Sequence, residues 1–132
     1  MGWMFGKRML LLNHRGRKSG LLRQAVLEVI EHDTESGSYL LASGFGKNSD
    51  WYQNILNTPQ VSVQVGLKKI QALALPLDPD ASGQALVRYG RRHPQAVRTL
   101  ARWIGYELDG TEDQLAELGR DHIPVVSIQP AD

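Results

Sequence analysis

The chain has 132 residues, of which 42% are hydrophobic and 22% charged, a composition that suits one soluble globular domain built on a single core. A formal net charge of +1 gives no global basic field, which argues against nucleic acid as a partner. The absence of cysteine excludes a disulfide framework, a thiol nucleophile and a Cys-ligated metal site, and it fits a reducing cytoplasmic interior.

The opening MGWMFGKRMLLL is interrupted by Lys7 and Arg8 and is too short to span a bilayer. It has no small-residue cleavage site and reads as a lead-in to a strand. Trp3, Met4 and Phe5 beside the two cations leave an interfacial membrane contact open as an alternative. Met9 to Asn13 is the first strand, followed by a basic turn within HRGRKSGLLRQ, His14 to Gln24. Ala25 to Glu31, rich in Val, is the second strand, and Tyr39 to Ser43 is the third after the polar turn HDTESGS. The loop GFGKNS then leads into a helix over WYQNILN that starts at Ser49 or Asp50 and is stopped by Pro59; with Asp50 as N-cap, Gln53 at N3 completes a capping box.

Val61, Val63 and Val65 alternate with polar residues in a fourth strand, and GLKK turns the chain into IQALALPL, the fifth. That connection is too short for a crossover, so the pair is an antiparallel hairpin. A long helix begins at DPDASG and runs to about Trp103, disturbed at His93-Pro94. Thr111 and Gln114 form a capping box for a short acidic helix, and Ile123 to Gln129 is the last strand. Short connections in meander order predict an α+β, mainly β domain over residues 1–132: one antiparallel sheet curled into a small barrel, with flanking helices.

The basic turn has two readings. Gly16 and Gly20 permit positive φ and close backbone approach, and consecutive N–H groups form an anion-binding concavity. Lys18 supplies a point charge, Arg17 and Arg23 can grip oxygens bidentately, and Ser19 adds a neutral donor. The other reading is a charged hairpin loop that keeps a sheet edge soluble. It is not a P-loop, because the glycine and lysine spacing is absent and no helix follows.

The second loop repeats the pattern, with glycines beside Ser43, Lys47 and Asn48 at the start of a helix. Trp51 either stacks on a ring or plugs the barrel end, and Asn54 lies one turn further along the same helix. No two of the four histidines stand at metal-ligand spacing, and no serine has a nucleophile-elbow context. No metal site is predicted, no side-chain nucleophile is expected, and any catalysis rests on a bound cofactor.

The motifs GRKSG with its following arginine, ASG…WYQN, NTPQVSVQVG and IPVVSIQP resemble the deazaflavin-dependent nitroreductase family, from about Met9 to Pro130. The resemblance implies the split β-barrel used by many FMN-binding oxidoreductases. It also implies hydride transfer from reduced coenzyme F420 to an electron-poor acceptor, a quinone or a nitroaromatic. By that resemblance Lys18, Ser19 and Arg23 hold the cofactor phosphate and oligoglutamate tail, with Arg17 or Arg15 as a further cation for the tail. Gln24, Ala25, Val26, Ala42 and Ser43 border the ring system, and Trp51 and Asn54 match the WYxN pair beside the ligand. Similar members often carry a lysine directly after the second-loop serine; here Gly44 and Phe45 follow Ser43, and Lys47 is the compensating cation. Members commonly have an N-terminal extension, which is short or absent here.

Acceptor-pocket tyrosines of nitro-reducing members have no counterpart between Tyr89 and Tyr106. The arginine-bearing helix opens instead a lipid-like acceptor, whose carboxylate would pair with Arg88, Arg91 or Arg92, against the plainer reading of a solvated helix face. The alternatives to an F420-dependent reductase are an FMN-dependent reductase and a non-catalytic fatty-acid or cofactor-binding protein. Cytoplasmic residence is expected, with membrane association as the alternative, and the family admits both monomers and homodimers.

Overall fold

The computed structural model describes residues 8–44 and 46–131, so the lead-in over residues 1–7, with its interfacial reading of Trp3, Met4 and Phe5, lies outside the described residues, as does Phe45. Six strands form one closed barrel: β1 (Arg8–Arg15), β2 (Leu22–His32), β3 (Tyr39–Ala42), β4 (Gln60–Val65), β5 (Lys68–Pro76) and β6 (Val125–Pro130). The order around the barrel is β1-β2-β3-β6-β5-β4, with every neighbouring pair antiparallel. β1 closes the ring onto β4 through Leu11–Gln64, Leu12–Val63 and Asn13–Ser62. A closed barrel has no edge to protect, which removes the rationale for the basic turn as an edge guard.

Period-two patterning sets the two faces of the wall. Leu10, Leu12, Leu41, Val61, Val63, Ala72, Ala74, Val126 and Ile128 point inward and pack with Trp51, Tyr52 and Ile55 of α1 (Asp50–Asn57). The helix therefore plugs one barrel end, and Trp51 takes the packing role. Burying three such side chains stabilises by roughly 1.5–3 kcal/mol each, more than the ~1 kcal/mol of a good cap. Packing thus places α1 even though its N-cap, Ser49, makes no side-chain cap hydrogen bond. The expected Asp50–Gln53 capping box is absent: Asp50 is already helical, and the Gln53 amide donates to the Lys47 carbonyl at 2.6 Å.

The outer wall at β3, β6 and the end of β2 carries Ala42, Val125 and Ile30 into a second core. It is covered by α2 (Pro79–Arg92) and α3 (Pro94–Trp103), with α4 (Glu112–Glu117) and a π-helical turn over Leu118–His122 beside α2. The expected long helix is thus two. His93 leaves helical geometry, and Pro94 restarts the chain as the first residue of α3, because a residue before proline is pushed out of the α region. Asp78 caps α2 by accepting from Ala81 N–H, and Thr111 caps α4 by accepting from Gln114 N–H. The Gln114 side chain turns to the Glu107 carbonyl instead of closing the second half of its box. The β4–β5 turn is tighter than GLKK suggested: Val65 pairs with Lys68 across Gly66 and Leu67, with Gly66 at φ 60°.

Candidate functional site

The β1–β2 ladder runs to the pair Arg15–Leu22, leaving residues 16–21 as the connecting turn. Gly20 takes φ 74°, and a Cβ on Gly16 would lie 2.8 Å from Ser19 Oγ, displacing the hydroxyl that accepts from Leu21 N–H. The turn uses most of its own N–H groups. Gly16 donates to the Leu21 carbonyl, Gly20 to the Gly16 carbonyl, Leu21 to Ser19 Oγ and Arg17 to Asn54 Oδ1. Among the described residues nothing accepts from Lys18 N–H or Ser19 N–H, so the expected concavity narrows to two adjacent amides.

The turn faces the start of α1 across a cleft of about 310 Å³ lined by Gly16, Arg17, Lys18, Ser19, Arg23, Asp50 and Asn54. Five of the predicted residues meet here: Arg17, Lys18, Ser19, Arg23 and Asn54. They have different duties. Arg17 is bound to Asn54 Oδ1 through its backbone N–H at 3.0 Å and Nη1 at 2.8 Å, and to Asp50 Oδ1 through Nη2 at 3.3 Å. Its Nη2 is thus paired with the Asp50 carboxylate, which is 86% exposed. Lys18 and Arg23 make no side-chain hydrogen bond or ion pair with any described residue, and they carry the positive potential of the cleft.

Beneath Asn54 lies His14, both side chains being only 4% exposed, with Nδ1 of His14 3.1 Å from Nδ2 of Asn54. Burial, then the nearby Arg23 charge, push the His14 pKa below the ordinary histidine value, against a smaller opposing effect of Asp50. His14, Asp50 and Gly16 were not predicted as site residues. A signal for each was present: His14 continues the inward alternation of Leu10 and Leu12, Asp50 precedes Asn54 by four positions on one helix face, and Gly16 sits in the turn as a residue that permits close backbone approach.

The remaining predicted residues lie elsewhere. Gln24 and Val26 sit on the outer face of β2 beyond the turn; Gln24 donates to Asn13 Oδ1 at 2.9 Å, and Val26 is 66% exposed. Ala25 alternates to the inner face and packs against the barrel core. Ala42 belongs to the core under the helices, and Trp51 to the barrel interior. Ser43 is 0% exposed, with Oγ donating to the Gly46 carbonyl at 2.6 Å and 2.7 Å from Ser49 Oγ. Its hydroxyl pins the loop before α1. Lys47 is exposed and does not line the cleft.

The three late arginines are already paired. Arg88 forks onto Glu31 at 2.8 and 3.2 Å, Arg91 onto Glu112 at 2.6 and 2.8 Å, and Arg92 donates to the Ile30 carbonyl at 2.8 Å. These pairs lie on a partly solvated helix face, with the three arginine side chains 44%, 61% and 45% exposed. No helix among the described residues is long and apolar enough to cross a membrane.

A closed antiparallel six-stranded barrel flanked by helices is the split β-barrel of FMN-binding and pyridoxamine-oxidase-like proteins. An FMN-binding protein related to pyridoxamine 5'-phosphate oxidase, from Nostoc punctiforme, superposes with a TM-score of 0.62 at 13% identity, over 93% of this chain and 70% of that one. An F420-H2 dependent reductase, FDR-A, gives a TM-score of 0.62 at 22% identity, over 92% and 94% of the two chains. A domain-swapped dimer gives 0.62 at 24% identity, over 92% and 80%. The sequence model of the F420H(2)-dependent quinone reductase family matches residues 2–109, and the chain belongs to that family. It is an F420-dependent oxidoreductase.

Proposed function

We propose that the cleft between the β1–β2 turn and α1 grips the phosphate of F420, and that the electron acceptor is of the quinone class. The observation that carries this reading is the pair of cations, Lys18 and Arg23, that have no partner among the described residues and lie beside the Lys18 and Ser19 amides, which likewise have none there. A point charge, a guanidinium fork and adjacent N–H donors fit phosphate oxygens, and a cleft of about 310 Å³ admits such a group. Arg17 serves the grip indirectly by tying the turn to α1. Gln24 and Val26, on the outer wall just past Arg23, border the ring system, while Ala25 contributes backbone alone.

When bound and reduced, the deazaflavin supplies a hydride, which the quinone takes up with a proton to give the hydroquinone. The chain's own residues bind and orient; no side-chain nucleophile is required. Leu22 and Val26, large apolar side chains left exposed on the strand that carries Arg23, suit a flat apolar partner over a charged one. Fluorescence titration of the protein with F420, and with FMN in parallel, tests the reading. Tight F420 binding with weak FMN binding supports it; equal binding of the two, or binding of neither, overturns it.

A further inference from the structure

We infer that His14 is a positioning residue for the anion cleft: its unprotonated Nδ1 fixes the Asn54 amide, and the amide in turn holds Arg17 and the basic turn against α1. The inference rests on the reading of this cleft as the phosphate grip of F420. Two N–H donors of Arg17 converge on one end of the Asn54 amide, so that end is the oxygen. The other end is therefore the NH2 group, and it faces His14 Nδ1 at 3.1 Å. Nδ1 must accept, which places the imidazole proton on Nε2.

A proton on Nδ1 sets two donors against each other at this buried contact. Rotating the Asn54 amide would satisfy the imidazolium but would turn its NH2 group onto the two Arg17 donors. One of the two partners loses its hydrogen bonds in either arrangement, so the clamp and the imidazolium exclude each other. The charged groups around His14 are Arg23 across the β1–β2 ladder, Arg17 above Asn54, and Asp50 on α1, itself 3.3 Å from Arg17. Tyr52 on α1 is buried and its pKa is raised by burial, so it stays neutral. The β4 residues paired to β1 are Ser62, Val63 and Gln64, none of them charged. Burial and Arg23 oppose protonation, so the clamp is set at neutral pH and released in acid.

The test uses wild type and His14→Asn, whose side-chain oxygen can stand where Nδ1 stands and does not titrate. The first readout needs no cofactor: nitrogen NMR of the His14 ring in the unliganded protein at about pH 8, above the ordinary histidine range. An unprotonated Nδ1 is expected, and a protonated Nδ1 overturns the inference. The second is F420 affinity at about pH 8 and about pH 4.5, the lower value set well beneath the ordinary histidine range because the His14 pKa lies below it. Wild type should weaken on acidification by at least about fivefold relative to His14→Asn, the lower end of a site-to-site coupling. Parallel pH dependence in the two proteins overturns the inference, as does a gain in wild-type affinity in acid, which would assign the effect to imidazolium charge. Failure of F420 to bind at either pH would instead remove the cofactor reading, and the NMR readout would still decide the clamp.

Discussion

Arg17 brings two donors to a single atom of Asn54: its backbone N–H and its Nη1 lie 3.0 and 2.8 Å from Oδ1, across 37 positions of sequence. The contact joins the cationic turn to the helix that plugs the barrel, so the position of the turn is inherited from the core. Asn54→Leu removes the acceptor for both donors and for the bond to His14. It is expected to destabilise the fold by about 2–3 kcal/mol, the scale of a charged hydrogen bond lost with a buried partner left over. Urea unfolding measures this, and a variant as stable as wild type would show that the clamp does not hold the turn.

Lys18 and Arg23 have no such structural duty among the described residues. Lys18→Ala and Arg23→Ala should each weaken F420 binding by about 1–3 kcal/mol, while stability stays within about 0.5 kcal/mol of wild type. Arg17→Ala should instead lose stability and affinity together. Unchanged F420 affinity in both Lys18→Ala and Arg23→Ala would sink the phosphate grip.

Ser43 separates loop architecture from cofactor contact. Its hydroxyl is wholly buried and engaged with the Gly46 carbonyl and Ser49. Ser43→Ala is expected to lower stability by about 1–2 kcal/mol, through the unsatisfied buried carbonyl, with F420 affinity unchanged once the protein is folded. Lost affinity at full stability would return Ser43 to the cofactor site.

His14 gives the stability a pH dependence of known sign. Its folded-state pKa lies below the ordinary value, so the unfolded chain takes up the proton first. The contribution of the neutral imidazole is fully present above the ordinary histidine range near 6.5. It is lost as pH falls through that range toward the lower folded-state pKa. The difference in unfolding free energy between wild type and His14→Asn, followed by urea titration, should therefore shift against wild type on acidification. A difference independent of pH would mean that His14 titrates alike in both states.

Gly83 of α2 packs directly on the chain beneath it: an added Cβ would stand 2.5 Å from the Ala116 carbonyl oxygen. The steric overlap, about 1–3 kcal/mol, should outweigh the ~1 kcal/mol gained in helix propensity. Gly83→Ala is thus expected to lower Tm, and a raised Tm would mean that α4 shifts freely.

Local pattern carried most of the fold and part of the site. Alternation at Val61, Val63 and Val65 reads as a half-buried strand because a pleated strand exposes its two faces at period two, and the barrel confirms it. His93-Pro94 announced a break because a proline acts on its own neighbours. The family motifs marked the cationic turn and Asn54, and four predicted residues of the turn meet Asn54 at one cleft. What remained hidden depends on pairs far apart in sequence. Nothing local in GRKSG tells that Arg17 is tied to Asn54 and Asp50 while Lys18 beside it is not. Arg88 and Arg92 look available until Glu31 and the Ile30 carbonyl, dozens of positions away, are brought beneath them. The resemblance puts Ala25 and Ala42 beside the ring system, while the faces their strands bury turn both side chains into cores.

The most direct measurement of the central claim is quinone-dependent oxidation of reduced F420 under anaerobic conditions, followed by the return of oxidised-deazaflavin absorbance. The account predicts oxidation that requires both protein and quinone and that falls together with cofactor affinity in the Lys18→Ala, Arg23→Ala double variant. Turnover unchanged in that variant, or obtained with reduced FMN and not with reduced F420, would contradict it.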